Sequence, residues 1–98
     1  MLFHITATHR AEHCPLYNPE LQASVIEAGK KVEESARELN LKLHFSVTGA
    51  PDHVFFHLVE ADSLEAVRRW LSAVPIKQEF RITPVESTLA AVASLENS

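Results

Sequence analysis

A chain of 98 residues with 46% hydrophobic content suits one folded domain around a single core, small enough that a second subunit would help it. Nine basic against 13 acidic residues give a net charge of −4, which offers nothing to nucleic acid or to an anionic membrane. One cysteine, Cys14, excludes an internal disulfide and fits a reducing, cytoplasmic setting, and neither a signal-peptide pattern nor a segment approaching membrane-span length is present.

Residues 1–9 alternate Phe3, Ile5 and Ala7 against Leu2, His4, Thr6 and Thr8, which predicts a strand. Residues 10–18 form a polar loop. Asn18 then caps a helix that begins at Pro19, where the missing N–H costs nothing. Its apolar stripe runs Leu21, Val25, Ala28, Val32, Ala36, Leu39, in steps of three and four. Two strands follow, 41–48 and 54–59, joined by the turn Gly49-Ala50-Pro51-Asp52. Asp62 and Glu65 have capping-box spacing for a second helix, striped by Leu64, Val67, Leu71 and Val74 and ended by Pro75. Residues 77–83 predict a fourth strand with Phe80 and Ile82 inward, and 86–95 a short C-terminal helix that would pack on a partner subunit. All 98 residues read as one domain, without repeat or linker.

Three of the strand segments carry a histidine, and parity assigns each to the face away from the core. In 41–48 the odd positions are apolar, so His44 points the other way. In 54–59 the uniformly apolar set is Val54, Phe56 and Leu58, so His57 points away from it with Phe55 and Val59. If Gly49–Asp52 is the whole loop, His44 stands opposite His57, with Cβ atoms roughly 4.5–5.5 Å apart. A one-residue slip would separate them.

The order strand–helix–strand–strand–helix–strand predicts an α+β, ferredoxin-like βαββαβ fold. Right-handed crossovers give an antiparallel four-stranded sheet in the order four-one-three-two, with both helices on one face. That order sets His4 beside His57. The opposite face would mix Leu2, Phe55 and Val59 with Lys42, Arg81 and the histidines, a composition suited to a ligand cavity closed by a second subunit. On this pattern, and on the stretches Gly49-Ala50-Pro51-Asp52 to Val59-Glu60-Ala61-Asp62 and Phe80-Arg81-Ile82-Thr83-Pro84-Val85, the chain resembles the dimeric α/β-barrel superfamily and, within it, a small bacterial family of unassigned function. The resemblance implies a homodimer whose two sheets face each other. It spans cofactor-free monooxygenases, muconolactone-type isomerases, haem-degrading enzymes and stress-response proteins, and so implies architecture more than activity.

The leading functional expectation is a three-imidazole site, His4, His44 and His57, for a divalent transition metal (Zn, Cu, Fe or Ni), with a position open to water or substrate. It would serve a metal-binding protein or a small metal-dependent oxygenase or hydrolase. His9 could join as a fourth ligand if its loop folds over the barrel mouth, and Arg81 could bind an anionic substrate group. A second cluster, His9, His13 and Cys14, has soft-site chemistry, although neighbours in a loop rarely converge. The alternative is a metal-free dimer whose cavity histidines bond to one another or to Thr6 and Ser46. Such a dimer would bind a small molecule, or act as a cofactor-free monooxygenase or isomerase. His53 reads as exposed at the strand entrance, and Trp70 as core edge or interface.

Overall fold

The structure is a computed structural model that describes residues 1–97. Strand β1 (Leu2–Thr8) leads through two single 3-10 turns to helices α1 (Pro19–Lys30) and α2 (Val32–Glu38). The hairpin β2 (Lys42–Gly49) and β3 (Val54–Glu60) follows, then α3 (Leu64–Ser72), β4 (Glu79–Val85) and α4 (Thr88–Glu96). The sheet runs β2-β3-β1-β4 with every pair antiparallel, the order and direction expected of a ferredoxin-like fold. No helix among the described residues is long and apolar enough to cross a membrane.

Local chemistry explains the boundaries. The stripe from Leu21 to Leu39 does not form one helix, because the chain breaks at Lys31, whose φ of −103° and ψ of 10° leave the helical region. Asn18 precedes α1 but does not cap it with its side chain. The cap of α3 is Ser63, whose hydroxyl accepts from the Ala66 amide at 3.3 Å, rather than Asp62 one residue earlier. Ser87 caps α4 in the same way.

The core lies between one sheet face and the helices. Phe3, Ile5 and Val59 of the sheet pack with Ala36, Val67, Trp70 and Leu71 of the helices, each large side chain contributing about 1.5–3 kcal/mol by leaving water. Trp70 is a full core member, not an edge residue. Its Nε1 donates to the Val32 carbonyl at 3.1 Å, which ties α3 to the start of α2.

Strand β3 reverses the predicted assignment of faces. The register pairs Phe3 with Val59, Ile5 with His57 and Ala7 with Phe55, so His57 and its odd-numbered neighbours face the helices. Val54, Phe56 and Leu58 lie on the other, helix-free face. β3 is a central strand, and both of its faces carry apolar residues, so an unbroken apolar set does not identify the core side. The hairpin register differs as well. Gly49 pairs with Val54, so the connection is 50–53, and Ser46 rather than His44 stands opposite His57. His44 occupies a bulge between Leu43 and Phe45. The extra residue inverts the alternation of β2: before it Leu41 and Leu43 face the core, after it Ser46 and Thr48 do, while Phe45 and Val47 turn to the open face.

Candidate metal centre

The three histidines expected to meet do not share one face. His4 lies on the open face, its ring between Phe45 and Phe56 at centroid distances of 6.3 and 6.1 Å. His44 reaches sideways to Glu60, with Nε2 2.8 Å from Oε1, and this hydrogen bond is the main reason that the Glu60 carboxyl sits below its usual range. His57 is 9% exposed beneath the helices, edge-on to Trp70 at 5.0 Å. Its Nδ1 is 2.9 Å from the Ser46 hydroxyl. Burial, and then the nearby His4, push its pKa down to about 4, so it is neutral at physiological pH. Arg81 is exposed on the open face, paired in register with Thr6.

A different set converges at the end of the sheet. His9, Cys14 and His53 each offer a ligand atom, and these atoms all lie within 4.8 Å of one another. The fold brings them together in three steps. The β1–β3 ladder continues one residue past Thr8 and Val54, with the His9 amide donating to the His53 carbonyl at 3.1 Å. That contact sets the two rings 5.2 Å apart, edge to face. His53 follows the 3-10 turn Ala50–Asp52 and is left-handed, φ 52° and ψ 47°, a strained conformation for a residue with a Cβ.

The loop supplies the thiol. Cys14 is 3% exposed and joins two 3-10 turns, Ala11–His13 and Pro15–Tyr17. Asn18 holds this loop closed, its Nδ2 donating to the carbonyls of Glu12 at 2.7 Å and Cys14 at 2.9 Å. Its side chain is therefore spent on the loop rather than on the helix end. His13 stays outside the cluster and lies 3.7 Å from the Glu12 carboxylate.

The polar atoms of the cluster lack partners. Nδ1 and Nε2 of His9 and Nδ1 of His53 are buried with no hydrogen-bond partner among the described residues. An unsatisfied buried polar group costs about 1–3 kcal/mol, and an ion held here would take one nitrogen from each ring, two of the three. Burial lowers the His9 pKa first, followed by the neighbouring His53 and His13. A neutral imidazole is the form that coordinates. His9 also lines a cleft of about 340 Å³ with Arg10, Glu12, His13, Lys77 and Gln78. Thiolate bonds near 2.3 Å and imidazole bonds near 2.0–2.1 Å set tetrahedral donors roughly 3.3–3.6 Å apart, against ligand atoms here that lie within 4.8 Å of one another.

Sequence reasoning found His9 and Cys14 here and missed His53. The signal was available: His9 ends the first strand, His53 precedes the third, and those strands were expected to be antiparallel neighbours. With the cluster in place, the comparisons fix the lineage. Residues 1–98 match the family described as "Domain of unknown function (DUF3303)". The chain belongs to the DUF3303 family. No curated protein is a significant sequence match to this DUF3303 chain. Among solved structures it is similar to muconolactone isomerase, with TM-score 0.58 and 19% identity over 89% of this chain and 90% of that one. It is also similar to SCO4226 from Streptomyces coelicolor A3(2), with TM-score 0.52 and 20% identity over 86% of this chain and 99% of that one. At these identities the likeness shows a shared fold alone.

Proposed function

We propose that this chain binds a divalent transition metal through His9, Cys14 and His53. The observation that carries the reading is the convergence of two imidazoles and a thiol within 4.8 Å, with three of their nitrogens buried and unpartnered. A thiolate with two imidazoles is a soft to borderline donor set that suits zinc, copper, iron or nickel and disfavours magnesium and calcium. Three protein donors leave one position for water or a substrate atom, as in catalytic zinc sites, whereas closed structural sites use four. The cleft beside His9 supplies a path to solvent. The metal chemistry expected from the sequence is retained, carried by the mouth of the β1–β3 ladder in place of His4, His44 and His57.

We also infer that two chains pair through their open sheet faces. Phe45 and Val47 are 39% and 51% exposed there, beside the half-buried Leu2, Phe56 and Leu58. Helix α4 presents Leu89, Val92 and Leu95, all exposed, as a second apolar element for the same partner.

The test is cobalt substitution of the full chain purified without an affinity tag. One equivalent of Co²⁺ should produce thiolate-to-cobalt charge-transfer absorption, removed by Cys14→Ser and strongly weakened by His53→Ala, with His57→Gln unaffected. A spectrum without that band, or one that survives Cys14→Ser, overturns the reading.

A further inference from the structure

The sheet face that packs against the helices is not filled along its whole length. Between β2–β3 and the helices lies a cavity of about 190 Å³, walled by Val25 and Val32 from α1 and α2, Phe55 from β3, and Leu71, Val74 and Phe80. A second void of about 170 Å³ adjoins it, sharing Val32, His57, Leu71 and Val74. Gly29 of α1 also lines the larger cavity, and a Cβ added there would meet nothing within 4 Å.

Its polar groups are few and specific. The His57 imidazole and the Ser46 hydroxyl, 2.9 Å apart, lie on the sheet side, with Thr48 further along β2. Gln78 borders the cavity with its Oε1 buried and without a partner among the described residues. Among the described residues no Asp, Glu, Lys or Arg lines the larger cavity, His57 is neutral there, and Lys31 at the smaller void is paired with Glu27 at 3.2 Å. A charged ligand would shed its water without gaining a counter-ion, at a cost of several kcal/mol. An apolar ring would lose little by entering against Val25, Val32, Phe55, Leu71, Val74 and Phe80. The orphan acceptor on Gln78 adds a demand for one donor.

We propose that this cavity is a binding site for a small uncharged ring compound carrying a hydroxyl group. The ring packs between Val32 and Phe55, and the hydroxyl donates to Gln78 Oε1. None of His9, Cys14 and His53 lines it, and the two places share only Gln78, which also borders the cleft beside His9. It stands or fails independently of metal binding.

Phenol is the probe, titrated into the full chain by calorimetry and followed by the amide NMR signals of Phe55, His57 and Gln78, with and without Zn²⁺. Phenol should saturate at one site per chain, and benzoate should bind at least tenfold more weakly. Gln78→Leu should weaken phenol about tenfold while leaving toluene unchanged, a distinction that a merely structural role for Gln78 would not produce. Gly29→Leu should abolish both, because its side chain occupies the ring site. Non-saturating phenol shifts, benzoate binding as tightly as phenol, or equal losses of phenol and toluene in Gln78→Leu would each overturn the proposal. Should Gly29→Leu fail to fold, the Gln78→Leu comparison decides the matter alone.

Discussion

Ser46 stands directly opposite His57, and the 2.9 Å contact between its Oγ and His57 Nδ1 ties the edge strand β2 to an imidazole held neutral beneath the helices. The pairing exists because the bulge at His44 turns the even positions of β2 toward the helices from Ser46 onward. A strand without that bulge would have kept Ser46 on the open face.

His57 should make stability depend on pH. Its pKa in the fold is about 4, against an ordinary 6.5, so the unfolded chain binds the proton more readily. The stabilisation is complete above pH 6.5 and is lost as pH falls through the window from 6.5 to 4. Each pKa unit is worth about 1.4 kcal/mol, and with solvent screening at the cavity edge the loss should be about 2 kcal/mol. Urea unfolding at pH 7 and pH 4.5, in wild type and His57→Gln, checks this. The difference between the two proteins should shrink by that amount at the lower pH, and a constant difference contradicts it.

How much of this was legible in the sequence follows from which physical signals are local. The four strands, the helices and the strand order came from alternation, apolar stripes and crossover handedness, all written in neighbouring residues. The face of β3 was not, because Val54-Phe55-Phe56-His57-Leu58-Val59 has apolar residues on both sides and its parity carries no direction. Nor was the bulge, since nothing in Leu43-His44-Phe45 distinguishes an extra residue from a regular one. Those two features moved His57 under the helices and His44 out to Glu60, which dispersed the expected three-histidine site. His9 and Cys14 were visible as ligand types, though the loop that carries them was not expected to bring them together. Their meeting with His53 depended on a ladder extended one residue beyond its strands.

The open sheet face should hold two chains together. Phe45 lies on its edge strand β2, opposite Leu58 and close to His4. Phe45→Lys places a charge in the inferred interface while leaving the helix-side core untouched. Light scattering at micromolar concentration should give twice the chain mass for wild type and the single mass for the variant. A monomeric wild type refutes the dimer.

Asn18 should matter to the metal without touching it. Its side chain clamps the carbonyls of Glu12 and Cys14 and so fixes the loop that presents the thiol. Second-layer supports of this kind are worth about 10–100-fold in metal affinity. Asn18→Ala should lower Zn²⁺ affinity within that range in a chelator competition. The helix content should be unchanged, because Asn18 makes no side-chain cap to α1. Unaltered affinity would show that the loop holds its shape without the clamp.

His53 offers the sharpest separation of stability from function. Its left-handed backbone suits glycine better than a residue with a Cβ, by about 1–2 kcal/mol, part of which glycine returns through its greater freedom when unfolded. His53→Gly should therefore raise the stability of the metal-free protein by about 0.5 kcal/mol. It should also remove one of three donors. In wild type, Zn²⁺ at a hundredfold excess over its dissociation constant adds about 2.7 kcal/mol to unfolding. The variant should lose most of that increment, so the ranking of the two proteins inverts when metal is added. Denaturant unfolding in chelator and in Zn²⁺ measures both terms at once. A variant less stable than wild type in chelator would show that the His53 side chain supports the fold itself. A variant that keeps the full zinc increment would remove His53 from the site.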